Sequence, residues 1–151
     1  MIQAYDGDHL DEDFRTLEEL NGSNAHTDQL RAFLDHVSEV EDLLWKLTKW
    51  NDVNGNHPKF NCKAINCFHR RGYYVYRIRF FFGELSRYRV LYVYDGRNDE
   101  VHYLAVVRKK DETLTVEENR EEDYNYESEH PISARIIDEY ERTGFSRGRS
   151  S

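Results

Sequence analysis

From Tyr73 to Arg108 the chain alternates with period two, and this pattern limits its fold more than any other feature. Over residues 73–82 the even positions are Tyr74, Tyr76, Ile78, Phe80 and Phe82, an apolar face, while Arg77 and Arg79 lie on the odd face. Gly83-Glu84-Leu85-Ser86 reads as a turn. Residues 87–94 put Tyr88, Val90, Tyr92 and Tyr94 on one face and Arg87, Arg89, Leu91 and Val93 on the other. Asp95-Gly96 signals a second hairpin within a longer loop. Residues 100–108 then place Val101, Tyr103, Ala105 and Val107 inward, with His102, Leu104, Val106 and Arg108 opposite. Successive side chains of a strand point to opposite faces, so the pattern predicts a three-strand antiparallel meander.

The flanks change period. Leu10, Phe14, Leu17 and Leu20 are spaced three and four apart and predict a short amphipathic helix, broken by Asn21-Gly22-Ser23-Asn24. Thr27 reads as the N-cap of a second helix with an apolar stripe from Leu30 to Leu47. A capping box between Ser38 and Glu41 predicts a kink near residue 37. Residues 51–58 read as a loop, and Leu114 and Val116 as a short strand or extended arm. Residues 117–129 read as an acidic loop, and Pro131, Ile132, Ile136 and Tyr140 as a last helix ending before Gly144. The fold class expected is α+β, an N-terminal helical hairpin packed on a three- to four-stranded antiparallel sheet with a C-terminal helix. One domain is expected over residues 1–145, its core near 27–110 and an acidic extension over 111–145, with a frayed tail at 146–151.

No apolar run approaches the ~18 residues of a membrane span, and no secretory signal leads the sequence, so a cytoplasmic protein without membrane contact is expected. Two cysteines exclude a disulfide-dense scaffold. The spacing His57-x4-Cys62-x4-Cys67-x-His69 lacks the tight pairing of structural zinc, so reduced thiols are expected, with no metal and no cofactor.

The net charge of −8 conceals a division. Residues 1–57 carry 4 basic and 13 acidic side chains, residues 58–110 carry 12 and 4, and residues 111–151 carry 5 and 12. A basic centre sits between acidic ends, and local field governs the capture of a charged partner. A turn centred on Glu84 sets Arg79 opposite Arg89 and Phe81 opposite Arg87. A loop near Arg97 and Asn98 sets Arg87 opposite Arg108 and Val93 opposite His102. Arg77, Arg79, Arg87, Arg89 and Arg108 should then share one end of one sheet face, with Lys109 and Lys110 at its rim. Like charges opposed on a sheet are destabilising, so either the chain's own acids or an external anion should neutralise them. The planar guanidinium fork suits phosphate. The interleaved tyrosines face mainly the other way and are read as core.

Tyr76-Arg77-Ile78-Arg79, Tyr88-Arg89-Val90-Leu91-Tyr92 and Leu104-Ala105-Val106-Val107-Arg108-Lys109 resemble the RelE/ParE toxin superfamily over roughly residues 27–110. That resemblance implies the toxin half of a type II toxin–antitoxin pair. Its activity would be ribosome-associated, metal-independent mRNA cleavage, and its partners a cognate antitoxin, mRNA and the ribosome. A cleavage-inactive binding module of the same fold and a gyrase-directed toxin are the alternatives. By that resemblance Arg77, Arg79 and Arg89 fall on the family's basic positions, and Arg108 or Lys109 on the basic residue ending the last long strand, with Lys109 taken as the catalytic candidate. Arginine is a poor proton acceptor, so His102 is the candidate acid or base. Arg87, Arg108 and Lys110 are the candidate RNA-binding residues. The family's closing tyrosine or histidine is missing after Lys110, and Tyr124 or Tyr126 would have to return to the site. The stretch 117–129 is expected to lie over the arginines.

Overall fold

A computed structural model describes residues 1–49, 57–111, 113–115, 119 and 123–147. The readings placed on residues 51–56, on Val116, on residues 117–118 and 120–122, and on the tail from residue 148 lie outside the described residues. The elements run β1 (Gln3–Asp6), α1 (Leu10–Asn21), α2 (Ala25–Glu39), α3 (Glu41–Lys46), β2 (Phe60–Ala64), α4 (Asn66–His69), β3 (Tyr76–Phe80), β4 (Tyr88–Asp95), β5 (Glu100–Arg108) and α5 (Pro131–Thr143). A 3-10 turn over Gly83–Arg87 joins β3 to β4. The fold is α+β, with one five-stranded mixed sheet in the order β1-β5-β4-β3-β2.

The alternating stretches form β3, β4 and β5, and Arg79 pairs with Arg89 in the expected register. Two edge strands extend this meander. β2 runs antiparallel to β3, and β1 pairs in parallel with the first half of β5, Gln3 against Glu100 and Asp6 against Tyr103. The expectation of a purely antiparallel sheet of three to four strands is corrected accordingly. Gly7 turns the chain out of β1 where no side chain fits: a Cβ there would lie 2.5 Å from Glu139 Oε2 and 2.7 Å from the Tyr103 carbonyl oxygen.

Leu10, Phe14 and Leu17 of α1, Leu30, Leu34 and Val37 of α2, and Leu44 of α3 pack onto Tyr76, Ile78, Phe80, Tyr88, Val90, Tyr92 and Tyr103. Tyr76, Tyr88, Tyr92 and Tyr103 are core, as their parity indicated, whereas Tyr94 is partly buried and Tyr74, which precedes β3, is exposed. α1 closes with Gly22 in the left-handed region at φ +67°. Its N–H donates to Glu19 O and the Ser23 N–H to Glu18 O, the paired bonds of a Schellman cap. α2 starts earlier than expected, with Asn24 as N-cap. Thr27 lies inside its first turn, fully buried, and donates to Glu18 Oε1 and the Asn24 carbonyl. The helical segment breaks at Val40, which is extended and caps α3, so three helices replace the hairpin. Ser38 forms no capping box. Its hydroxyl pairs with the Tyr103 hydroxyl at 3.1 Å, because it faces the sheet.

The other sheet face carries a second cluster. Ile136 and Tyr140 of α5, with Tyr124 and Phe145, cover Val75, Leu91, Val93, Leu104, Ala105 and Val107. α5 begins at Pro131, with the His130 Nδ1 accepting the Ile132 N–H, and ends at Gly144 in the left-handed region at φ +82°. The two cysteines belong to opposite faces. Cys62 is core beneath α1–α3, where burial pushes its thiol up to about 12, and Cys67 packs near Tyr126.

One irregularity resets the arginine map. Tyr92 pairs with Tyr103 but Leu91 pairs with Ala105, leaving Leu104 as a bulge in β5. A bulge adds one residue to one strand, so every side chain beyond it changes face. Val106 therefore joins the α1–α3 side, and Arg108 lies opposite Tyr88 rather than Arg87. The expected Arg87–Arg108 pairing is corrected by this one-residue shift.

Candidate anion-binding site

The face that holds Leu91, Ala105 and Val107 also holds Arg77, Arg79 and Arg89, since Arg77 pairs with Leu91 and Arg89 with Val107. α5 covers one end of this face. At the other end an open cavity of about 550 Å³ is lined by Arg79, Ser86, Arg87, Arg89, Lys109, Lys110, Asp111 and Thr113. Four chain segments supply its basic groups: β3, the 3-10 turn, the start of β4, and the residues after β5. The β4–β5 pairing continues into this rim through the Lys109 N–H, which donates to Arg87 O at 2.7 Å.

The arginines differ in their partners. Arg89 is nearly buried and donates from one guanidinium nitrogen to the Ser86 and Tyr88 carbonyls at 2.7 and 3.0 Å. Arg77 donates to Asn61 Oδ1 at 2.8 Å. Arg79 is exposed and lies over the Phe81 ring. Among the described residues none of these three pairs with a carboxylate. Arg87 does: it donates to Asp123 Oδ2 at 3.2 Å, to Asn119 Oδ1 and to the Lys109 carbonyl. Arg108 donates to the other oxygen of Asp123 at 2.6 Å, and the Asp123 side chain is fully buried between them. Lys110 lies 3.4 Å from Glu127.

Burial holds the Arg89 pKa below its ordinary value, and the neighbouring Arg79 and Arg77 charges act the same way while Tyr126 opposes them. Arg77 is lowered for the same leading reason, with Arg79 adding to it. A group destabilised by burial and by its like-charged neighbours gains most from an incoming anion.

Tyr126 returns to these arginines. The chain leaves β5, and the Tyr124 N–H donates to Arg108 O while the Lys110 N–H donates to Tyr124 O. It then crosses the sheet face until the Tyr126 carbonyl meets Cys67 Sγ at 3.6 Å. The Tyr126 hydroxyl is buried near Arg89 without a hydrogen bond of normal geometry. Burial pushes its pKa up, and the Arg89 and Arg77 charges offset this in part, so the phenol stays protonated at neutral pH. The sequence offered two tyrosines as returning residues. The long-range path of the segment decides between them, and Tyr124 is instead core, its hydroxyl bonded to Ser133.

Of the candidate residues, the fold gathers Arg79, Arg87, Arg89, Lys109 and Lys110 around one cavity and sets Arg77 beside an adjoining one with Tyr126. Arg108 and His102 are not gathered there. Arg108 turns to a cavity between α1 and α5. His102 pairs with Val93 near the far end of the sheet. Its ring stacks on Tyr5 and meets Phe145, and its Nε2 lies 3.2 Å from Glu100. Five residues along β5 separate it from Val107, the partner of Arg89, a distance of about 17 Å. The placement of His102 as the acid or base beside the arginines is thereby corrected. Among the described residues no histidine lines either cavity. The stretch expected over the arginines reaches them through Asp123 and Tyr126, while Glu127 meets Lys110 at the rim.

Among the described residues no three His, Cys, Asp or Glu side chains gather to hold a metal ion, and no helix is long and apolar enough to cross a membrane. Comparison with family models, with curated proteins and with solved structures finds no match to this chain.

Proposed function

We propose that the chain is the toxin half of a type II toxin–antitoxin pair, a RelE-like protein that grips and cleaves mRNA at the arginine cavity in the cytoplasm, in association with the ribosome, until a cognate antitoxin covers it. The observation that carries this reading is the opposition of Arg79 and Arg89 beside Lys109 and Lys110, with no carboxylate on either arginine among the described residues. Helices preceding an antiparallel meander, the layout the sequence resemblance implies, support the same reading.

The chemistry is attack of a ribose 2′-hydroxyl on the adjacent phosphorus. The bond to the 5′ oxygen breaks, leaving a 2′,3′-cyclic phosphate and a 5′-hydroxyl, and the proton lost from the 2′ oxygen is matched by one gained at the 5′ oxygen. The guanidinium and ammonium groups stabilise the added negative charge of the five-coordinate state.

The distance of His102 from the cavity favours a second reading, a module of this fold that holds RNA without cutting it. Expression of the chain with mapping of mRNA 5′ ends separates the two. Cleavage predicts growth arrest with new ends inside reading frames, both lost in Arg79→Ala. Growth without new ends, in a chain that still binds RNA, establishes the binding module.

A further inference from the structure

Beside the arginine cavity lies a second one of about 290 Å³, whose walls include Asn66, Cys67, Arg77, Asn125 and Tyr126. The two adjoin, because Arg77 and Arg79 stand two residues apart on one face of β3, about 7 Å along the strand. Tyr126 lies at their boundary: Lys109 Nζ of the first cavity stands 5.8 Å from its ring centre, and Arg77 of the second lies close enough to favour its ionised form.

We infer that this second cavity is a nucleobase pocket, which takes the base of a single-stranded RNA whose phosphate sits on Arg79 and Arg89. The inference rests on the proposed RNA-binding function and names what that site reads. Three observations carry it. First, the lining is that of a base site. Carboxamides present both donors and acceptors, as base edges require, and Asn66 is exposed with no side-chain hydrogen bond among the described residues. Second, an aromatic ring stands beside a phosphate-binding group, the pairing used to stack unstacked bases along a basic track. Third, Tyr126 is held where a tyrosine is not at rest. Its φ is +63°, a region disfavoured for bulky residues, and its buried hydroxyl stands beside Arg89 without a hydrogen bond of normal geometry. Such costs persist where surrounding contacts impose them, and here the Tyr124 ring at 5.3 Å and Cys67 do so.

The test is fluorescence anisotropy of labelled A5, C5, G5 and U5 RNA with the full chain, comparing wild type, Asn66→Ala, Tyr126→Leu and Arg79→Ala, each checked for an unchanged thermal midpoint. Wild type should prefer one homopolymer by about tenfold, the discrimination a two-point base contact provides. Asn66→Ala should bring the four affinities together, Tyr126→Leu should weaken the preferred one by about tenfold, and Arg79→Ala should weaken all four alike. Equal affinities in wild type, or an Asn66→Ala preference identical to wild type, overturn the base pocket while leaving phosphate binding by the arginines intact. Wild type that binds none of the four overturns the RNA-binding reading, and the base pocket with it.

Discussion

Arg79 of β3 lies directly opposite Arg89 of β4, and among the described residues neither is paired with a carboxylate. Opposed like charges weaken a sheet by some tenths to about 1 kcal/mol. They stand at the end of the face that α5 leaves open. Removing Arg79 should therefore not lower stability: in urea unfolding Arg79→Ala should match wild type or exceed it by up to about 1 kcal/mol. Arg87→Ala, which breaks the contact with buried Asp123, should lose about 2 kcal/mol. A clear loss in Arg79→Ala would show that the arginine is structural.

Asp123 holds two guanidinium groups, Arg87 and Arg108, with no exposure of its own side chain. Taking one partner from a buried charged set strands the others. Asp123→Asn should cost about 3 kcal/mol and loosen the segment that carries Tyr126, seen as faster amide exchange at Tyr124 and Lys110, which share a backbone bond. If the cost is below about 1 kcal/mol, the two arginines are satisfied without it.

Asp13 and Arg135 close the gap where β1 ends along β5. Asp13 Oδ2 accepts the Val106 N–H, Arg135 Nη2 reaches the Leu104 carbonyl, and the two side chains meet in a two-point ion pair at 2.6 and 2.7 Å. They stand in for the missing strand at an otherwise open edge. A double-mutant cycle on Asp13→Ala and Arg135→Met should return a coupling energy above about 1 kcal/mol, with either single variant costing about 3 kcal/mol. Additive effects would remove the pair from the account of the edge.

Glu139 sets a pH dependence. Burial, and secondarily the Asp8 charge, raises its carboxyl above the ordinary 4.5, while its Oε1 lacks a partner and its Oε2 accepts the Asp8 N–H. The folded state then holds the proton more tightly than the unfolded one. The stability this contributes is complete below pH 4.5 and is lost as pH rises through the raised folded value. Glu139→Gln keeps an acceptor for Asp8 and removes the buried charge. It should be more stable than wild type at pH 7, with the difference closing as pH approaches 4.5 in urea titrations. A difference independent of pH would contradict this.

Much of the sheet was legible because period two is a local property, written residue by residue from Tyr76 to Tyr103. The Arg79–Arg89 pairing followed from turn length alone. The bulge at Leu104 left no mark in the sequence, since Val-His-Tyr-Leu-Ala-Val-Val-Arg alternates equally well in either register, and that single residue moved Arg108 to the other face. β1 was invisible for a different reason: four residues beside an acidic stretch become a strand only through pairing with residues about a hundred positions away. His102 shares a face with the arginines as parity required, but parity says nothing of distance along a strand. The stretch 117–129 was expected to lie over the arginines, but truncating the chain from residue 117 would also remove Ile136 and Tyr140 from the core, so Asp123→Asn is the cleaner probe.

The salt dependence of single-stranded RNA binding tests the arginine cavity most directly. Each phosphate neutralised on a single strand contributes about −0.7 to the slope of log K against log salt. Wild type should bind with a steep negative slope despite its net charge of −8. Arg79→Ala should weaken binding and reduce the slope by about 0.7, with the fold unchanged. A slope unaltered by Arg79→Ala, or no RNA binding at low salt, would contradict the account.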